Sequence, residues 1–430
     1  MGGVVVTKSS PVIVRPPEPA ATTTVTIRLS SFDVGLHTIP ANVLLMFEHP
    51  IHEPAETIKR ALSQALVPYY PIAGRIVAGA SDGEVNIQCT GEGVAFVSAS
   101  VGCALKEAIS LDRSPGARAT LLDELAVYYP GMRCGPGDPL MLMQVTEFSC
   151  GGFTVGVTGN HGVGDGAGWA QFLQAVGELA SGSSSPSTVP IRQDDSLPSR
   201  PSSVGSLSQL MTSLEPFDDL ACVDITVPSR VISSIKAEYA KRFDGQTCTS
   251  FEAVSAVLWQ CRTRAIMSDP ETPALFLFGV NLREYMGAKK GYYGNCATGQ
   301  LVMAKSGAVA NGDIVDLVTM IKESKEKIPD QFKKNEGTTP QKPVDQRRLM
   351  DQQVRYNMLT TSSWRNLGFE KVDFGSGRPA RVTPYAQDKL PFPACMMSLP
   401  HKGKDGANIF TAMVKEEHVD SFLKELTRFT

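Results

Sequence analysis

FTVGVTGNHGVGDGAGWAQFLQAVGELA, residues 153–180, changes its period partway along. The opening residues alternate, so Phe153, Val155 and Val157 share one face of a strand. From Trp169 onward, Trp169, Phe172, Leu173, Val176 and Leu179 recur at helical spacing, and Gly182 stands where a helix terminator is expected. Between strand and helix lies a tight loop. His161 closes the strand, and Gly162, Gly164, Gly166 and Gly168 follow at alternating positions, which gives the backbone unusual freedom beside an ionisable ring. Asp165 sits in the turn, four residues after His161.

A base at a strand end with a carboxylate in the next turn suits general-base catalysis, because an imidazole takes up and returns a proton near neutral pH at small cost. The chain has six histidines, and the other five (His37, His49, His52, His401 and His418) lie near charges, prolines or expected surface turns. A histidine beside glycines also fits a purely structural role, which the local pattern leaves open. A metal site is not supported, since His161 and Asp165 lack a third ligand at usable spacing. Gly162 to Ala167 formally matches the dinucleotide fingerprint G-x-G-x-x-[GA]. That fold also needs an acidic residue about 20 positions on, ending a second strand, where this chain reads SGSSSPST. The match is a coincidence of glycine density.

Working outward, PLMLMQVTEF (139–148) forms a hairpin with FTVGVT through a turn at Ser149 to Gly152. TVTIRLS (24–30) and ANVLLMFEH (41–49) read as strands, and EVNIQC and VAFVSA as shorter ones around the GEG turn at 91–93. Residues 55–66 place Ile58, Ala61, Leu62, Ala65 and Leu66 on one helical face. The later half resumes the α/β pattern with DITVPS, VISSIKAEYAKR, the strongly apolar helix TSFEAVSAVLWQCRTRA, and the strand ALFLFGVNLR. Residues 322–346 read as an exposed helix and loop, and the Ser/Pro/Gly-rich run from Ser181 to Ser208 as a surface crossover.

A chain of 430 residues is too long for one ordinary core, so two domains are expected: 1–185, a crossover at 186–215, and 216–430. Charged residues make up 20% and hydrophobic ones 42%, the balance of a globular protein. With 41 Lys plus Arg against 44 Asp plus Glu, the net charge of -3 argues against a nucleic-acid partner. No uncharged apolar run is long enough for a membrane span. The N-terminus lacks the order of a signal peptide, and Val6 stands where a myristoylation pattern wants Ser or Thr. Nine scattered cysteines without CxxC pairs suit reduced, mostly buried thiols in a cytoplasmic protein.

A second constellation, VDFGSGRPARV (372–382), specifies a constrained turn after a short strand. Together with the first it resembles the BAHD family of plant acyl-CoA-dependent acyltransferases. The family pattern H-x-x-x-D-G matches His161, Asp165 and Gly166, and D-F-G-W-G matches Asp373 to Gly377 at all positions but one. LSSFD (29–33), YYPIAGR (69–75), CTGEGVAF (89–96), NLR (281–283), YYGN (292–295) and SSW (362–364) look like further family landmarks in family order.

The resemblance implies an α/β fold of two similar chloramphenicol-acetyltransferase-like domains, each a mixed sheet flanked by helices, joined by the long crossover and traversed at their interface by a channel. The first would carry HxxxD and the second DFGSG. It also implies direct transfer in a ternary complex, with acyl-CoA as co-substrate and no permanently bound cofactor. His161 would take the acceptor's proton, while Asp165 would pair with Arg283 and hold the loop. Asp373, Gly375 and Gly377 would be turn and packing residues. Ser376 replaces the family Trp; it could supply a hydroxyl to an oxyanion or substrate, open space for a bulkier substrate, or be purely architectural. Thr249 and Ser250 would meet CoA phosphate at a helix N-terminus or serve as ordinary caps. Thr38 would line the substrate pocket or simply lie in a surface loop. The overall run is similar to grass members that transfer benzoyl or hydroxycinnamoyl groups. That implies an aromatic acyl donor and an amine acceptor, with an alcohol acceptor as the rival, and a monomer. Readings of another kind are a non-catalytic binding protein of the same fold and a thioester hydrolase.

Overall fold

A computed structural model describes residues 5–17, 25–110, 121–199, 214–333, 351–384, 392–400 and 405–429. The chain divides into two compact units. Met1–Arg200, Leu282–Ala297 and Arg365–Ala386 form the first, and the remaining residues form the second. Two stretches from late in the sequence, including the whole DFGSG turn, therefore belong to the unit that carries His161.

The first unit is built on a mixed sheet in the order Val6–Lys8, Val94–Val101, Met141–Phe148, Phe153–Asn160, Pro40–Phe47, Arg381–Thr383, with Val12–Val14 also paired to Val94–Val101. Val94–Val101 and Met141–Phe148 run parallel, and the expected hairpin of Met141–Phe148 with Phe153–Asn160 is antiparallel. A smaller sheet joins Val25–Arg28, Val85–Cys89 and Arg75–Ala78.

All eight residues of Phe153–Asn160 are buried, so this strand is covered on both faces. Phe153, Val155 and Val157 do share a face. On that side the indole of Trp169 lies where a side chain at Gly159 would otherwise project. On the other side the Leu125 carbonyl lies against Gly156. A sequence of large residues on one face and Thr and Gly on the other is what such close covering requires. The helix Gly166–Ala180 buries Trp169, Phe172, Leu173, Val176 and Leu179, the stripe read from the spacing. Beside it, Pro54–Ala65 turns Ile58, Ala61, Leu62 and Ala65 inward.

The second unit holds a sheet in the order Leu220–Val227, Ala407–Lys415, Ala394–Ser398, Met358–Ser363, Pro273–Asn281, Ala297–Lys305. The helix Ser250–Ile266 is buried at every residue from Glu252 to Thr263. Its Trp259 stacks on Phe276 at 5.6 Å between ring centroids. Residues 322–326 end a helix that begins at Ile314 and is anchored by Val315, Leu317, Val318 and Ile321, and a separate short helix, Ile328–Lys333, follows within the expected range. Residues 334–346 of the expected exposed loop lie outside the described residues.

The Ser/Pro-rich stretch is more than a tether. Within 181–199, Ile191 bridges to Tyr292, and Arg192 and Asp194 are buried, while 200–208 lies outside the described residues. Six of the nine cysteines (Cys89, Cys134, Cys248, Cys261, Cys296 and Cys395) are buried. Among the described residues, no helix is long and apolar enough to cross a membrane.

Gly168 lies in the first turn of its helix, where alanine is ordinarily favoured by about 1 kcal/mol. Here an added Cβ would overlap the backbone carbonyl oxygen of Tyr293. Gly168→Ala should therefore lower the first thermal transition by at least about 2 °C. A rise in scanning calorimetry would mean that the Tyr293 backbone does not press on the helix.

Candidate active site

His161 is the residue at which its strand leaves the sheet. Its backbone N–H donates to the Ile39 carbonyl at 2.9 Å, continuing the ladder in which Asn160 pairs with Pro40. Asn160 pins the bend on both sides: its Nδ2 donates to the His37 carbonyl at 2.7 Å and its Oδ1 accepts from Gly162 N at 2.9 Å. None of the four glycines after His161 has a positive φ. Their role is close approach, not left-handed backbone as freedom of conformation would suggest. A Cβ at Gly162 would stand 2.7 Å from His37 Cα.

Asp165 is 7% exposed and caps the helix that follows, its Oδ1 accepting from Gly168 N at 3.0 Å. Arg283 meets it as a fork, Nη2 to Oδ1 at 2.8 Å and Nη1 to Oδ2 at 2.9 Å. Cys296 N donates to the same Oδ2 at 3.0 Å. Arg283 also reaches the Gly294 carbonyl at 2.7 Å. Burial opposes its charge, but the neighbouring Asp165 carboxylate outweighs that and holds the guanidinium pKa above the ordinary arginine value. The carboxylate thus serves the loop and the helix, and no bond joins it to the imidazole.

The imidazole itself meets Asn295. Its Nδ1 lies 3.2 Å from Asn295 Oδ1, and the His161 carbonyl accepts from Asn295 Nδ2 at 2.7 Å. Behind Asn295 stands Asp33, with no exposed surface, whose Oδ1 accepts from Asn295 N at 3.1 Å and Nδ2 at 2.8 Å. Arg192 pairs with Asp33 Oδ2 at 3.1 Å and donates from the same Nη2 to the Gly162 carbonyl at 2.9 Å. Burial also opposes the Arg192 charge, and Asp33 again leaves its pKa raised. His161 Nε2 has no protein partner among the described residues. An imidazole tied at one nitrogen and along its main chain, with the other nitrogen unoccupied, is equipped to accept a proton from a bound molecule.

A family described as "Transferase family" matches residues 4–428. The chain belongs to the BAHD family of plant acyltransferases. Acyl transferase 15 of Oryza sativa subsp. japonica is 45% identical over 99% of this chain and 98% of its own length. Myricetin 3-O-glucosyl 1,2-rhamnoside 6'-O-caffeoyltransferase AT2 of Crocosmia x crocosmiiflora is 32% identical over 99% of each chain. The 3'-N-debenzoyl-2'-deoxytaxol N-benzoyltransferase of Taxus canadensis is 32% identical over 97% of this chain and 94% of its own. Vinorine synthase superposes with a TM-score of 0.72 at 21% identity, covering 99% of this chain and 98% of its own. TRI101 of F. sporotrichioides, solved with coenzyme A and T-2, gives 0.68 at 18% identity, covering 94% and 98%. These likenesses establish the two-domain, chloramphenicol-acetyltransferase-like α/β fold.

Within this BAHD chain the other sequence-derived site residues fall in different places. Thr38 precedes Ile39, whose carbonyl takes the His161 N–H, and its own carbonyl accepts from Cys134 N at 3.1 Å. The DFGSG turn does not join them. Asp373 Oδ1 accepts from Gly375 N at 2.7 Å and Gly377 N at 2.9 Å, with φ of 101° and 85° at the two glycines. Phe374 packs against Phe47 and Phe153 at 5.3 and 6.4 Å. The Asp373 carbonyl lies against Gly177 and accepts from Ser181 Oγ at 3.3 Å. Gly177 is about 16 Å along the helix from Gly166, so Ser376 is held at the end of the helix remote from His161. An oxyanion or substrate contact from Ser376 at the base does not fit that distance.

Thr249, in the second unit, caps its helix: Oγ1 accepts from Glu252 N at 3.2 Å while Thr249 N donates to Glu252 Oε2 at 2.7 Å. Ser250 is the first residue of that helix. Sequence reasoning assigned no role to Asn295, Asp33 or Arg192. Asn295 and Asp33 do close two of the quoted landmarks, YYGN and LSSFD, and that was their only signal. Arg192 had none, because it lies in the stretch read as crossover.

Asp165→Ala would strand the Arg283 guanidinium and uncap the helix, which should cost about 3 kcal/mol in urea unfolding. An unchanged midpoint would contradict the assignment. Ser376 is buried and its Oγ has no hydrogen-bond partner among the described residues, so Ser376→Ala should stay within about 0.5 kcal/mol of the native protein and keep its activity.

Proposed function

We propose that this chain transfers an aromatic acyl group, benzoyl or hydroxycinnamoyl, from coenzyme A to an amine, with His161 as general base. The observation that carries the reading is the His161 ring, fixed through its main chain and Nδ1 while Nε2 has no protein partner among the described residues. The acceptor must arrive as a neutral amine, since an ammonium has no lone pair. Its nitrogen attacks the thioester carbonyl, a C–N bond forms, and His161 takes the N–H proton. Collapse of the tetrahedral intermediate breaks the C–S bond and expels the coenzyme A thiolate, which receives a proton. The products are an amide and free coenzyme A, and His161 returns to its neutral state.

Asp165 and Arg283 support the base by holding its loop, and Asp373, Gly375 and Gly377 brace the far end of the helix. Thr38 lines the substrate pocket in this reading. Ser250, rather than Thr249 with its hydroxyl already in a cap, is the better placed of the two to meet a coenzyme A phosphate at a helix N-terminus. A cytoplasmic monomer is part of the same reading, carried over from the family.

The Taxus relative, named for N-benzoylation, supports an amine acceptor. The Crocosmia relative, named for O-caffeoylation, supports ester formation on an alcohol as the second reading, by the same proton removal.

Benzoyl-, p-coumaroyl- and caffeoyl-CoA should be assayed against sets of aromatic amines, polyamines and alcohols, with thiol release and product mass as readouts. Amide formation is expected with an aromatic donor. Exclusive ester formation would select the second reading, and rapid acceptor-independent thiol release would indicate a hydrolase. His161→Ala should lower transfer by at least about 100-fold with folding retained. Near-normal turnover in that variant would reject the base.

A further inference from the structure

Asn295 is 2% exposed, and its side-chain amide has all its neighbours fixed. Nδ2 donates to Asp33 Oδ1 at 2.8 Å and to the His161 carbonyl at 2.7 Å. Both partners can only accept, so both amide hydrogens are consumed. Rotating the amide by half a turn would set its oxygen against a carboxylate and a carbonyl and leave its hydrogens facing the ring. The network therefore determines which end is which. Oδ1 must face His161 Nδ1, 3.2 Å away, and an amide oxygen can only accept.

From this we infer that Asn295 is a positioning residue that keeps the proton of neutral His161 on Nδ1 and leaves the lone pair on Nε2, with Asp33 and Arg192 as its anchor. This inference rests on the reading of His161 as general base. Asp33 accepts from Ser30 N at 2.9 Å, Ser30 Oγ at 2.7 Å, Arg192 Nη2 at 3.1 Å, and the two nitrogens of Asn295. So bound, the carboxylate has little freedom, and neither does the amide resting on it. Arg192 also grips the Gly162 carbonyl, one residue past the base. A neutral amide suits the task better than an acid would. A carboxylate touching Nδ1 would favour the imidazolium, whose Nε2 is already protonated near neutral pH, and at this position it would oppose Asp33. The amide selects the tautomer without charging the ring.

The test is long-range proton–nitrogen NMR on the full-length protein labelled with nitrogen-15 histidine, the His161 resonances being assigned by their loss in His161→Ala. Neutral His161 in the native protein should carry its proton on Nδ1. In Asn295→Ala it should become a mixture of tautomers, and kcat should fall by about 10-fold or more with little change in KM. Asn295→Asp should keep the Nδ1–H tautomer and move the acid limb of the kcat/KM profile to higher pH, which a merely structural role would not do. It also serves if the alanine variant does not fold. A proton on Nε2 in the native protein would overturn the inference, as would an unaltered tautomer and kcat in Asn295→Ala. Failure of the base reading would show separately, as turnover surviving in His161→Ala whatever the tautomer.

Discussion

The Asp165 carboxylate accepts four hydrogen bonds, from Gly168 N, both terminal nitrogens of Arg283 and Cys296 N. Those four bonds tie the loop after the central strand and the helix that follows it to the segment Leu282–Ala297, which also meets the loop through Asn295 and the helix through the Tyr293 backbone. This junction holds the segment that carries Asn295 beside the loop, while the His161 main chain is tied separately to Ile39. A buried ion pair returns little net stability once desolvation is counted. What it contributes here is placement, since separating the late segment from the loop would leave both charges without their partner.

A second carboxylate divides the labour. Asp33 holds Asn295 and Arg192, so the ring is controlled by a network separate from the one that holds the loop. Neither carboxylate is hydrogen-bonded to the imidazole, and Nε2 has no protein partner among the described residues. The glycine-rich loop makes this crowding feasible. With His37 against Gly162 and the Tyr293 backbone against Gly168, side chains there would push the loop and helix away from the segments that carry Asp33 and Arg283.

Much of this frame was legible in the chain. The change of period at residues 153–180 specified strand, loop and helix, and the structure fills those positions with the expected buried residues. The Thr249 cap and the apolar run behind it were equally local signals. The partners of His161 were not legible, for a physical reason. Asn295 and His161 are 134 positions apart, and no periodicity connects residues at that separation. Arg192 was masked by its Ser- and Pro-rich surroundings, which suggest a solvated tether although the guanidinium is buried. The glycines were read as conferring backbone freedom, whereas their φ values are ordinary and their smallness is what matters. Ser376 could be weighed from sequence only as a departure from the family. Its distance from the base became apparent once the turn was seen clasping the far end of the helix.

The central claim is that His161 Nε2 receives the acceptor's proton. A crystal structure of the protein with coenzyme A and an unreactive amine analogue would measure the relevant distance directly. The account predicts the acceptor nitrogen within about 2.6–3.2 Å of Nε2. An acceptor nitrogen bound instead against another side chain, with Nε2 beyond the reach of a single bridging water, would contradict it.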